Sequence, residues 1–287
     1  MSEPEILLTG LVIGESARWH EGRLWFSNWG THEVVATDLD GNREVMAEVP
    51  VTIPFSIDWL PDGRLLATAG PEGRLLRQEP DGTLVDHADL SGLEGGLNEI
   101  VVDGRGNIYV NGGNDFHPDE GVAPGFIALV TPDGAVRRVA DQLAFPNGMA
   151  VTPDNSTLII AESFAGTLTA FDIAADGSLS NRRVWAKHLA DGISMDADGA
   201  VWTPTMIDGE SACIRVREGG EVLDRVPLPL SGFACALGGE DGMTLFMLVA
   251  DWQMAESFED NLTRLTTGPR TGQVLTARAP VPHAGRP

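Results

Sequence analysis

Four oxygen-bearing side chains recur at one place in a repeating pattern. Asn98, Asn147 and Asp191 each stand eight residues before a turn residue (Gly106, Asn155 and Gly199), and Glu15 stands seven before Gly22. If the fold gathers them, the carboxylates of Glu15 and Asp191 repel each other unless a cation lies between them. Oxygen donors without His or Cys suit one hard divalent cation, with Ca2+ first, then Mg2+ or Mn2+, and Zn2+ after these. Such an ion polarises a carbonyl and acidifies water, which makes hydrolysis the natural chemistry. Taken singly, Asn147-Gly148 and Asp191-Gly192 also read as ordinary turn dipeptides. Their common register favours a site.

The elements that must position these residues are short strands. A Gly-containing turn followed by an alternating apolar strand appears six times, as in Gly22-Arg23-Leu24-Trp25-Phe26 and Gly106-Asn107-Ile108-Tyr109-Val110. The turn positions 22, 63, 106, 155, 199 and 242 are 41, 43, 49, 44 and 43 residues apart. That period predicts an all-β chain folded as a six-bladed β-propeller with four-stranded antiparallel blades. Inner strands of a propeller converge on its channel, so Glu15, Asn98, Asn147 and Asp191 are expected to face one another at one mouth. Phe55 and Ala234 hold the same place in the other two blades. The last repeat supplies only three strands, around 233–237, 245–249 and 273–277, and the N-terminal run 5–8 is expected to add the fourth and close the open edge. No amphipathic helix of convincing length and no linker is found, so residues 1–287 read as a single β-propeller domain.

With 19 basic against 42 acidic residues, the net charge of -23 argues against nucleic acid or a membrane surface as partner. A small-molecule substrate is expected, handled by a monomer or homodimer. No apolar run reaches the roughly 18 residues of a membrane helix. The acidic start Ser2-Glu3-Pro4-Glu5 is unlike a secretion signal, so a cytoplasmic location is expected. Cys213 and Cys235, the only two cysteines, lie in apolar strand-like runs and read as buried free thiols.

Strand direction places the loops between second and third strands beside the same mouth. They bring Trp29, Phe116, His117, Phe164 and Trp252 as candidate substrate-binding residues. The long loop 112–124 reads equally as a specificity lid or as a tolerated insertion. Ser16 and Ser163 lack the His–Asp arrangement of a serine nucleophile.

The chain resembles the gluconolactonase, regucalcin and luciferin-regenerating-enzyme family of six-bladed propellers. The stretches that carry the likeness are Gly14-Glu15-Ser16-Ala17-Arg18-Trp19, Leu97-Asn98-Glu99-Ile100-Val101-Val102-Asp103, Phe145-Pro146-Asn147-Gly148-Met149-Ala150 and Asp191-Gly192-Ile193-Ser194-Met195-Asp196. The resemblance implies that Glu15, Asn147 and Asp191 bind one divalent metal, that Asn98 contacts substrate beside it, and that Asp191 doubles as a general base. Sugar-lactonase members commonly carry an Arg two residues before the second-motif Asn, where this chain has Gly96. The expected activity is metal-dependent opening of a lactone or related cyclic ester. A phosphotriester or other ester hydrolase using the same site, and a non-catalytic metal- or metabolite-binding propeller, are the alternatives.

Overall fold

The computed structural model describes residues 3–285 except 52, 114, 115, 118–120, 123 and 254, and the backbone only at 116, 117, 121 and 122. All six repeat-marking turn residues lie in the left-handed region, with φ of 75° at Gly22, 85° at Gly63, 82° at Gly106, 57° at Asn155, 77° at Gly199 and 74° at Gly242. Glycine and asparagine tolerate that conformation best, which is why these two types mark the repeat. The turns are further locked by side chains. Asp103 accepts hydrogen bonds from the backbone N–H of Arg105 (2.8 Å) and Asn107 (2.9 Å) and from the Asn107 side chain (2.9 Å).

Each turn joins strands of a four-stranded antiparallel blade, and six such blades make the six-bladed β-propeller. Strand β1 (Glu5–Leu11) comes first. Blade one is β2 (Ile13–His20), β3 (Arg23–Trp29), β4 (Glu33–Thr37) and β5 (Arg43–Glu48). Blade two is β6 (Ile57–Trp59), β7 (Leu65–Ala69), β8 (Arg74–Gln78) and β9 (Leu84–Asp89). Blade three is β10 (Leu97–Val102), β11 (Ile108–Gly112), β14 (Gly125–Val130) and β15 (Val136–Leu143), interrupted by the small hairpin β12 (Phe116–His117) and β13 (Gly121–Val122). Blade four is β16 (Pro146–Val151), β17 (Thr157–Glu162), β18 (Thr167–Ile173) and β19 (Leu179–Ala186). Blade five is β20 (Ser194–Met195), β21 (Val201–Ile207), β22 (Glu210–Val216) and β23 (Val222–Pro227). Blade six is β24 (Ser231–Gly238), β25 (Thr244–Ala250) and β26 (Gly272–Arg278), completed by β1, which pairs with β26 from Glu5↔Thr276 to Leu11↔Gly272. The expected N-terminal closing strand is present and runs three residues beyond the 5–8 segment.

Two compact units hold three blades each. Residues 3–48 with 191–285 contain blades one, five and six, and residues 49–190 contain blades two, three and four. In the first unit, Leu24, Phe26, Ala234, Phe246 and Leu248 fill the space between blades six and one, and Trp202, Cys213, Cys235 and Met247 fill that between five and six. In the second, Leu66, Leu75, Ile100 and Phe126 pack between blades two and three, and Tyr109, Leu129, Met149 and Ile160 between three and four. Burying side chains of this size stabilises by about 1.5–3 kcal/mol each.

One element departs from the sequence reading. The β25–β26 connection carries a ten-residue helix, α1 (Phe258–Thr267). Ser257 caps it, its hydroxyl accepting from the Asp260 N–H at 3.1 Å, with Glu259 and Asp260 in the first turn where the helix dipole favours anions. Of its residues only Asn261 and Leu265 are buried; Phe258, Leu262 and Leu265 recur at i, i+4 and i+7, a helical spacing too short to stand out among the surrounding strand repeats. No helix among the described residues is long and apolar enough to cross a membrane.

Candidate active site

In the first unit, Glu15 lies on β2 and is 6% exposed, its backbone carbonyl accepting from the Ser27 hydroxyl at 3.1 Å. Asp191 stands three residues before β20 and is half-buried; its N–H donates to Thr203 Oγ1 at 3.3 Å, and the N–H of Gly192 beside it donates to the Phe233 carbonyl at 2.8 Å. In the second unit, Asn98 on β10 and Asn147 on β16 are both half-buried and come from adjacent inner strands. The Asn98 amide donates one N–H to the Pro146 carbonyl at 3.2 Å, directly tying the two motifs. Its second N–H is the one available to a ligand.

Three of the four residues sit at bulges, where the regular ladder breaks. The pairing slips between Glu15 and Arg18 on β2, between Leu97 and Ile100 on β10, and between Pro146 and Met149 on β16. A bulge turns a side chain out of the alternation of its strand and leaves backbone groups without ladder partners. Side chains take those groups over. The Asn98 carbonyl accepts from Ser56 Oγ at 2.6 Å, and the Asn147 carbonyl from Asn111 Nδ2 at 2.7 Å.

The Asn147 amide has a defined orientation. Ser163 donates its only hydroxyl proton to the Ala190 carbonyl at 2.8 Å, so towards Asn147 it must accept, and Asn147 Nδ2 lies 3.4 Å away as the donor. That commits the nitrogen side of the amide to Ser163 and leaves Oδ1 as the atom able to ligate a cation. Asn147 thus presents oxygen, the donor type a hard divalent ion takes. No cluster of three or more His, Cys, Asp or Glu suited to a metal occurs among the described residues. The expected set contains only two such groups, the third donor being an amide.

The aromatic candidates fall in different settings. Trp29 ends β3 and is 8% exposed, so at most an edge of its ring is open to a ligand. Phe164 is 65% exposed and stacks on Phe145 with ring centres 4.5 Å apart. Trp252 is half-buried between Phe233 (5.6 Å) and Phe258 of α1 (5.5 Å). Phe116 and His117 pair with Val122 and Gly121 in the β12–β13 hairpin, and their side chains lie outside the described residues. Neither cysteine offers a nucleophile: both are free and buried, and burial pushes the Cys213 thiol well above the usual range. Sequence reasoning missed the aromatic partners Phe145, Phe233 and Phe258 and the polar supports Ser56, Asn111 and Ser163; apart from Phe258, six residues from Trp252, their contacts join parts of the chain 16 or more positions apart.

The family model described as the SMP-30/Gluconolactonase/LRE-like region matches residues 13–251. The diisopropyl-fluorophosphatase of Loligo vulgaris is 29% identical over 224 residues, 64% of this chain and 69% of that protein. Regucalcin of Oryctolagus cuniculus is 29% identical over 134 residues, 44% of each, so this match spans less than half of that relative. In fold, the chain is similar to a calcium-binding regucalcin from Agrobacterium tumefaciens, with a TM-score of 0.78 and 20% identity over 99% of this chain and 95% of the other. The match to the family model takes in most of the chain and all four motifs: this protein belongs to the SMP-30/gluconolactonase/LRE-like family.

Proposed function

We propose that the protein is a divalent-metal-dependent hydrolase that opens a lactone or related cyclic ester to the hydroxy acid. The observation that carries this reading is the family match over residues 13–251, which includes Glu15, Asn98, Asn147 and Asp191. In this reading Glu15, Asn147 and Asp191 hold the cation, and Ca2+ is the first choice given a relative described as calcium-binding. When bound, the ion supplies Lewis-acid polarisation and acidifies water. Asp191 takes the proton of the attacking water as general base. Asn98, with one N–H spent on Pro146, offers the other to the substrate oxygen where negative charge develops. Phe164 and Trp252 offer apolar surface to the rest of the substrate, with Trp29, Phe116 and His117 as further contacts. The small-molecule substrate and the acidic chain agree with a reaction on a neutral ester.

A second reading has its own support. The fluorophosphatase relative acts, by its name, on a phosphorus ester, and the same donor set serves attack at phosphorus. Assay of a lactone panel beside a fluorophosphate or phosphotriester substrate, each with chelator and with Ca2+ restored, separates the two. Lactone turnover that vanishes with chelator, returns with the cation and is lost in Asp191→Ala supports the first reading. Turnover that survives full chelation, or normal turnover in Asp191→Ala, refutes it.

A further inference from the structure

We propose that Asn111 is a positioning residue for the cation site: by tying blade three to blade four, its side-chain amide sets where Asn147 presents its ligating oxygen. The inference rests on Asn147 being a cation ligand, as argued above. Asn111 lies on β11, is 0% exposed, and faces the point where β10 bulges. Its Oδ1 accepts from the Glu99 N–H at 3.1 Å, and its Nδ2 donates to the Asn147 carbonyl at 2.7 Å. Both partners are backbone groups at strand irregularities: Glu99 lies in the bulge of β10, and Asn147 in that of β16. The amide can point only one way, because a backbone N–H needs an acceptor and a carbonyl needs a donor. One buried side chain therefore fixes the backbone of Asn147 from the inside, while Ser163 fixes its side-chain amide from the other side. Asn111 touches neither substrate nor metal in this scheme, so it acts through Asn147.

Blade two shows what a weaker version of the same device looks like. Thr68 occupies the equivalent place on β7, following Ala67, which pairs with Ile57 as Val110 pairs with Ile100. Its Oγ1 accepts from the Ser56 N–H at 2.8 Å but only reaches the Asn98 carbonyl at 3.4 Å. A threonine here keeps the bond within its own blade and loses most of its hold on the next one. In blade two the Ser56 hydroxyl holds the Asn98 carbonyl instead, at 2.6 Å, whereas Glu99 stands at that place in blade three, so Asn111→Thr removes the tie without a substitute.

The test is Ca2+ titration by calorimetry on the purified full-length protein, with melting in excess chelator read in parallel. Partners that orient metal ligands are worth about 10–100-fold in metal affinity. We expect Asn111→Thr to weaken Ca2+ binding by that range while its chelated form melts close to wild type. Asn111→Asp keeps the native shape and the acceptor for Glu99 but sets an anionic oxygen against the Asn147 carbonyl, and should weaken Ca2+ at least as much; it is the second arm should the threonine variant fold poorly. Ca2+ affinity within twofold of wild type in these variants overturns the proposal. So does a loss of affinity matched by an equal loss of chelated-state stability, which marks a structural role. Asn147→Ala is run beside them: unchanged Ca2+ binding there overturns the site assignment itself, whereas lost binding with an unaffected Asn111→Thr overturns the positioning role alone.

Discussion

Gly96 stands two residues before Asn98, where sugar-lactonase relatives commonly carry an arginine, and the backbone there accepts a Cβ. A Cβ built there would meet the Gly70 carbonyl oxygen at 3.5 Å, an ordinary contact, and the residue is not in the left-handed region. Its neighbour across the hairpin differs sharply: a Cβ at Gly112 would come within 2.1 Å of the Gly96 carbonyl oxygen, so that position requires glycine. Without a cationic donor at 96, polyol hydroxyls lose a charge-assisted hydrogen bond of about 1.5–3 kcal/mol, roughly ten- to a hundredfold in rate. Wild-type protein should therefore hydrolyse an alkyl-substituted γ-lactone more efficiently than gluconolactone, and Gly96→Arg should shift the ratio of kcat/KM toward the sugar. A wild-type preference for gluconolactone would contradict this. At this scale the sequence singled out the candidate residues, since each stands in a short contiguous motif and all four share one register. The orientation of each amide was not, because it depends on partners 16 to 48 positions away.

Between elements, polar side chains recur as ties from one blade to the next. Tyr109 of β11, the only tyrosine, donates its hydroxyl to the Gly177 carbonyl at 3.0 Å in the turn before β19. Burial, together with the nearby Asp103 carboxylate, pushes its pKa well above the ordinary value of about 10. The folded state thus keeps a proton that the unfolded chain releases. Stability is full below the unfolded pKa and declines as pH rises above it toward the folded one. Ultraviolet titration of native protein should show no tyrosinate transition near pH 10, and one should emerge when urea unfolds the chain. A native transition at about pH 10 would show the ring is not held this way. The strands of such elements were legible because turn glycines and alternating apolar residues are local signals. Helix α1 was not, since its ten residues carry only three apolar side chains, Phe258, Leu262 and Leu265, a short helical spacing easily lost among strand repeats.

For the molecule as a whole, a resident cation implies that stability depends on its concentration. A ligand bound only by the folded state stabilises by about 2.7 kcal/mol at a hundredfold excess over Kd. For a chain of this size that corresponds to roughly 5–10 °C in Tm. Thermal melts in chelator and in saturating Ca2+ should differ by that much in wild type and coincide in Asp191→Ala. Coincident melts in the wild type would count against a cation in the folded protein.

The sequence by itself determined the architecture: six turns that need a left-handed residue, strands at a period in the forties, a missing outer strand that β1 supplies, and two cysteines buried in apolar strands. The turns, strands and cysteine settings follow from chemistry within a few residues, and the closing strand from the last repeat being one strand short. Tertiary structure alone decided which atom each site residue offers. Asn98 spends one N–H on Pro146, Asn147 is turned by Ser163, and Asn111 reaches across to the next blade, because buried polar groups left open by the bulges must find partners wherever the fold brings them.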